Sequence, residues 1–226
     1  MVKAVLFDVD FTLVRPGPEL GPEGYRKVGE RHGLTLDPDR YEEARLAALD
    51  SLQRHPDFVH DDELWIEFTE EIVRGMGGDT GGARETAIEL VRFWEEHERF
   101  LLYEDALPAL EALRGHGVKI GLVSNGSRDL EEFVAHHRID ADCAVGSRAF
   151  GRTKPHPEIF RHALGLLDVR PEEAAMVGDS YEDDIEGARA LGMRAFLLDR
   201  DGRRLDEPDR LPDLFALPAA LGLAVR

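Results

Sequence analysis

Four short runs of consecutive apolar residues punctuate the chain: Val2–Val9, Val118–Ser124, Ala174–Val177 and Ala195–Leu198. Each has the length of a strand buried on both faces, and a weaker fifth run lies near Cys143–Val145. Between and after them the apolar positions change to a helical period. In Asp105–His116 they are Leu107, Leu110 and Leu113, with Gly115 and Gly117 marking the end. In Pro157–Leu167 they are Ile159, Phe160, Ala163, Leu164 and Leu167, and in Asp183–Leu191 they are Ile185, Ala188 and Leu191. Strands alternating with such helices predict an α/β fold, a parallel sheet covered on both faces.

One stretch breaks the alternation. From Arg15 to Phe100 the pattern is helical without a strand, with helices predicted near Pro22–His32, Pro38–His55, Asp61–Met76 and Ala83–His97. Loops at Gly33–Pro38 and Gly75–Gly82 separate them. The division predicted is therefore a core made of residues 1–14 and 101–226, carrying an all-helical insert over 15–100. The glycine-rich Gly75–Gly82 follows a helix and lacks the lysine signature of a phosphate loop, so it is read as a helix connection. Trp65, Phe68, Phe93 and Trp94 have the spacing of an insert core rather than of a substrate cage. The final stretch, Pro208–Arg226, reads as a loop and short helix on the surface.

Composition narrows the partners. The formal net charge of −18, from 28 basic and 46 acidic residues, argues against nucleic acid and anionic membranes. It would also repel a phosphorylated substrate, so a phosphate site here needs a local positive field. The sole cysteine, Cys143, excludes an internal disulfide framework and fits a reducing cytoplasm. No apolar run approaches the roughly 20 residues that span a bilayer, and Met1–Asp8 is too short and too soon charged for a secretory signal. The nine histidines show no metal-ligand spacing.

Ligands of open parallel sheets collect beyond the carboxyl ends of the strands. The first predicted strand delivers Asp8-Val9-Asp10-Phe11-Thr12 there, the second Ser124-Asn125-Gly126, and the run at Ala174 delivers Gly178-Asp179-Ser180, with Asp183 and Asp184 following. Thr153-Lys154-Pro155 precedes the helix at Pro157. Singly, each is an ordinary turn or helix cap. Together, in this order, they bring carboxylates, a hydroxyl, a lysine and loop amides to one end of the sheet.

Asp8-x-Asp10-x-Thr12-Leu13, then Ser124, Lys154-Pro155 and Gly178-Asp179-Ser180-x-x-Asp183-Asp184, resembles the four motifs of the haloacid dehalogenase superfamily, across the core from Met1 to about Asp199. The resemblance implies a Rossmann-like core with an inserted helical cap directly after the first motif, and a phosphatase acting on small phosphorylated metabolites. It implies Asp8 as nucleophile and Asp10 as acid and then base. Mg²⁺ would be held by Asp8, Asp179, Asp184 and the Asp10 carbonyl. Ser124, with the amides of Asn125 and Gly126, would hold the phosphoryl group beside Thr12, and Lys154 would supply positive charge. Asp183 remains an alternative to Asp184, because neighbours on a helix point about 100° apart and only one faces the metal. Phe11 departs from the pattern, since Gly or Asn is commoner there. Arg128, Arg152 and His156 lie near the motifs, with substrate contact and surface or capping roles both open.

A dehalogenase of this superfamily lacks the second aspartate, which favours phosphoryl transfer, whereas a phosphomutase would share every core residue. A response-regulator receiver also joins aspartates, a hydroxyl and a lysine, but its acceptor sits at the third strand and it needs no helical insert. A catalytically retired scaffold has no support, since every core position the chemistry requires is filled.

Overall fold

In the computed structural model, residues 2–52, 54–78 and 81–223 are described. Gln53 in the second predicted insert helix, Asp79 and Thr80 of the glycine-rich loop, and the last three residues of the predicted tail helix lie outside them. The chain divides into two compact units, Met1–Arg15 with Leu102–Arg226, and Pro16–Leu101.

The apolar run at the N-terminus forms β1 (Ala4–Phe7), every residue of it buried. β2 (Val14–Pro16) and β3 (Phe100–Leu102), which the hydropathy pattern did not indicate, pair as a separate two-stranded ribbon where the chain passes between the units. The remaining strands are β4 (Lys119–Ser124), β5 (Cys143–Gly146), β6 (Ala174–Gly178), β7 (Arg194–Leu198) and β8 (Arg210–Leu211). The main sheet runs β5-β4-β1-β6-β7-β8, all parallel.

Register decides where the chemistry falls. Phe7 lies level with Leu122 of β4 and Val177 of β6, so β1 ends within two residues of the ends of β4 and β6. The sequence runs outward from β1 through β4 to β5, then returns to start again at β6 on the other side of β1. Beyond the carboxyl ends of β1 and β6 lies the crevice that such a reversal opens.

The core unit also carries α5 (Ala106–Gly115), α6 (Leu130–His137), α7 (Ser147–Phe150), α8 (Pro157–Leu167), α9 (Gly187–Ala190) and α10 (Leu217–Ala220). Ile159, Phe160, Ala163, Leu164 and Leu167 of α8 pack with Leu6, Val123 and Met176 of the sheet in one buried cluster. The predicted helix at Asp183 differs in kind: it opens as a π-helical turn, Tyr181–Glu186, before α9. The tail is more than a surface loop. It supplies the edge strand β8, and Leu214 and Leu217 are fully buried.

The other unit contains α1 (Pro22–Arg31), α2 (Tyr41–Ser51), α3 (Asp62–Gly75) and α4 (Ala83–Glu95). The helix predicted from Pro38 begins as a 3₁₀ turn, Pro38–Arg40, and becomes α-helical at Tyr41. Tyr25, Val28, Leu36, Ile72, Val73, Met76 and Leu90 form its core, with Phe68 and Phe93 packed against it. Trp65 meets Phe68 edge-on, and Trp94 meets Phe100. No helix among the described residues is long and apolar enough to cross a membrane.

Candidate active site

After β1 the ladder continues one step, the Asp8 amide donating to the Val177 carbonyl at 2.9 Å. The chain then curls: the Leu13 amide donates to the Val9 carbonyl (2.9 Å) and the Phe11 amide to the Val14 carbonyl (2.7 Å). This turn holds Phe11 at φ 60°, in the left-handed region. That conformation costs a side-chain-bearing residue roughly 1–2 kcal/mol, which explains why glycine or asparagine suits the position.

Lys154 is buried, and its Nζ donates to Asp8 Oδ1 and to Asp184 Oδ1, both at 2.6 Å. Burial works against its charge, but Asp184 and Asp8 outweigh it and hold the ammonium above its ordinary value. Asp184 also accepts from the Ser180 amide at 3.1 Å, and burial pushes its carboxyl up to about 7, with Lys154 opposing. Burial raises Asp8 as well, opposed by Lys154 and reinforced by Asp10. The Thr12 hydroxyl also lowers Asp8 slightly, though it sits outside ordinary hydrogen-bond geometry. Asp179 keeps an exposed edge, yet the protein packed around its carboxyl, then Asp8 and Asp184, pushes it well above the ordinary value.

One oxygen each from Asp8, Asp179 and Asp184 lie within 4.8 Å of one another. Ionised, the three would exceed the Lys154 charge by two, and Asp8 Oδ2 is buried without a hydrogen-bond partner among the described residues. An unsatisfied buried carboxylate oxygen is costly. A hard dication resolves both the excess charge and the orphaned oxygen. Carboxylate oxygens are the hard donors that Mg²⁺ prefers, so Asp8, Asp179 and Asp184 would suit that ion.

The second loop adds Ser124 Oγ, which accepts from the Gly126 amide at 3.1 Å. That amide, predicted to face the phosphoryl group, instead orients the serine hydroxyl. The Asn125 side chain reaches Lys154: its Oδ1 accepts from the Lys154 amide (2.6 Å) and its Nδ2 donates to the Lys154 carbonyl (3.1 Å). It also makes a longer contact, 3.4 Å, to Asp183 Oδ2. Asp183 thus lies beside Asn125, while Asp184 joins Asp8 and Asp179. Asp10, partly exposed, pairs with Arg128, whose Nη2 lies 2.6 Å from Asp10 Oδ1. His156 caps α8, accepting from the Glu158 amide at 3.3 Å.

Sequence reasoning missed how completely Arg128 is buried, because an arginine four residues after Ser124 carries no apolar signal. It also missed Arg200, which donates to both Asp105 oxygens (2.8 and 2.9 Å) and to the Thr12 carbonyl (2.9 Å).

The haloacid dehalogenase-like hydrolase family matches residues 2–192. Phosphoserine phosphatase from Thermus thermophilus is 40% identical over 65% of this chain, which spans 60% of that protein's length. Glyceraldehyde 3-phosphate phosphatase from Methanopyrus kandleri is 32% identical over 94% of this chain and 92% of its own. Among solved structures, a phosphatase of the same superfamily from Thermococcus onnurineus (29% identity, 98% of each chain) aligns with a TM-score of 0.69. A 2-haloacid dehalogenase from Pseudomonas syringae (26% identity, 98% of this chain, 99% of that one) aligns at 0.65.

Proposed function

We propose that this chain, which belongs to the haloacid dehalogenase-like hydrolase family, is a Mg²⁺-dependent phosphatase that hydrolyses small phosphate monoesters through an aspartyl-phosphate on Asp8. The observation that carries this reading is the buried Asp8–Lys154–Asp184 cluster, with Asp8 Oδ2 unsatisfied among the described residues, set beside a second carboxylate, Asp10. The phosphatase relatives support it.

Asp8, Asp179 and Asp184, with the Asp10 carbonyl, would hold Mg²⁺, which when bound neutralises charge on the phosphoryl oxygens and on the attacking carboxylate. Lys154 holds Asp8 in its attacking position and offsets the charge of Asp184. Asp8 attacks phosphorus, the phosphorus–oxygen bond to the alcohol breaks, and Asp10 gives its proton to the leaving oxygen. Asp10 then takes a proton from water as the water oxygen bonds phosphorus and the aspartyl bond breaks. The Ser124 hydroxyl, already accepting from the Gly126 amide, directs its own proton towards a phosphoryl oxygen. Phosphoryl transfer needs mainly positioning and charge neutralisation, and these groups supply both.

The helical unit begins close after Asp8 in sequence, and on that placement we assign it the choice of ester. Small esters of sugars, glycolate or nucleotides are the expected substrates. A screen of phosphorylated metabolites with Mg²⁺, wild type against Asp8→Asn, tests the reading. Efficient dephosphorylation of a folded phosphoprotein with small esters untouched would overturn the size preference. A dehalogenase is disfavoured by Asp10, and chloride release from a 2-haloacid would revive it. Dependence on a bisphosphorylated sugar activator would indicate a mutase.

A further inference from the structure

We propose that Arg128 is a positioning residue for Asp10, fixing one carboxylate oxygen so that the other is presented to the departing alcohol. The inference rests on the reading of Asp10 as acid and base. Arg128 is buried, its side chain 2% exposed, against 22% for Asp10. Its guanidinium is thus turned into the protein and meets Asp10 there.

The placement of Arg128 is built from both sides. Next in sequence, Asp129 caps α6, accepting from the Glu131 and Glu132 amides at 2.9 and 3.1 Å. One turn into that helix, the Phe133 ring lies under the guanidinium, 5.3 Å from ring centre to Cζ. The chain before Arg128 is the Ser124–Gly126 loop. A helix cap, an aromatic face and a phosphate-site loop thus fix where Nη2 stands, and at 2.6 Å it takes Asp10 Oδ1.

The other oxygen, Oδ2, faces the second loop. A methyl group on Gly126 would stand 3.5 Å from it and 3.4 Å from Ser124 Oγ. The bond to Arg128 therefore does more than neutralise a charge: it sets the carboxylate plane, with Oδ1 directed inward and Oδ2 on the side of the serine hydroxyl. In the first half-reaction the proton leaves from Oδ2 to the alkoxide oxygen. In the second, the same oxygen receives the proton of the attacking water. Oδ1 keeps its bond to the guanidinium throughout.

A merely structural arginine and a positioning one differ in leaving-group dependence. A glycerol phosphate needs a proton on its departing oxygen, whereas 4-nitrophenolate departs without one. kcat/KM reports the step up to formation of the aspartyl-phosphate, the step in which this proton is given. With Mg²⁺ saturating, Arg128→Met should lose about tenfold or more in kcat/KM on glycerol phosphate beyond any loss on 4-nitrophenyl phosphate. That is a part of the roughly 10²–10⁴ carried by general acid–base catalysis. Arg128→Lys, which keeps the charge with a different reach, should show the same selective loss in smaller measure, and it carries the test if Arg128→Met does not fold. Asp10→Asn is the control. If it shows no leaving-group selectivity, the acid reading fails. If it does, and the folded Arg128 variants lose activity equally on both esters or on neither, the positioning role is overturned.

Discussion

A methyl group on Gly178 would stand 2.0 Å from Asp184 Oδ2 and 2.3 Å from its Cγ. The last residue of β6 is therefore a glycine because the Asp184 carboxylate folds back against the strand end. There it meets Lys154 and the Ser180 amide. Gly178→Ala should displace Asp184, cost about 1–3 kcal/mol of stability and weaken Mg²⁺ binding by about 10–100-fold. Thermal melts and activity against Mg²⁺ concentration check this. Gly165→Ala, where an added Cβ meets nothing within 4 Å, is the comparison and should be neutral or gain up to about 1 kcal/mol. Equal behaviour of the two would show that the Asp184 position does not matter.

Asp8→Asn should reduce kcat by about a thousandfold or more while the fold persists. Asp10→Asn should slow turnover by about 10²–10⁴-fold. With 4-nitrophenyl phosphate the Asp10 variant should also accumulate a phosphoryl adduct on Asp8, since attack proceeds without acid but water lacks its base. Mass spectrometry of the quenched enzyme detects it. Near wild-type rates in Asp8→Asn would rule out the covalent route.

Chelation should abolish activity and Mg²⁺ restore it, with Ca²⁺ a poor substitute because it prefers a larger, looser shell. The sign of the pH dependence follows from the raised carboxyls. Burial lifts Asp184 from the ordinary value of 3.8 to about 7, and lifts Asp8 and Asp179 in the same direction. A carboxyl raised by folding keeps its proton longer folded than unfolded. Its contribution is favourable at low pH and is lost as the pH rises through the folded value. Without Mg²⁺, these groups should cost progressively more stability between about pH 4 and pH 7. The ion replaces the protons, so the rise in Tm on adding Mg²⁺ should be small near pH 4 and grow towards pH 7. Asp184→Asn should reduce that growth. A Tm increment independent of pH would place the ion elsewhere.

Asp105→Ala should destabilise the fold by about 2–4 kcal/mol, somewhat below the figure for fully buried pairs because Arg200 keeps 21% of its side chain exposed. The change strands Arg200 and frees the Leu214 amide, which donates to Asp105 at 2.8 Å. Because Arg200 also holds the Thr12 carbonyl, activity should fall together with Tm, and Asp105→Asn should recover part of both. Unchanged activity in a destabilised Asp105→Ala enzyme would separate the tether from the site.

The α/β class, the helical stretch after the first strand, and the residues gathered at the strand ends were legible because each leaves a local trace. A strand buried on both faces must be apolar throughout. A helix packed on one face must repeat near 3.6 residues. Asp8, Asp10, Ser124 and Lys154 sit where those patterns stop. β2, β3 and β8 escaped because two- or three-residue strands bury too little to shape a hydropathy pattern. β8 forms only because β7 offers its free edge to residues about a dozen positions further on.

By itself, then, the sequence determined which residue types arrive at the carboxyl end of the sheet, and in what order, since these follow from periodicity and strand length. Tertiary structure alone decided how they pair. Asp184 rather than Asp183 meets Lys154, in the space that Gly178 leaves. The Asn125 side chain clamps the backbone of Lys154. Arg128 reaches Asp10 across 118 residues of chain. Each of these choices is made by distance and desolvation between segments remote in sequence, and neither quantity is written in the spacing of residues along one strand or helix.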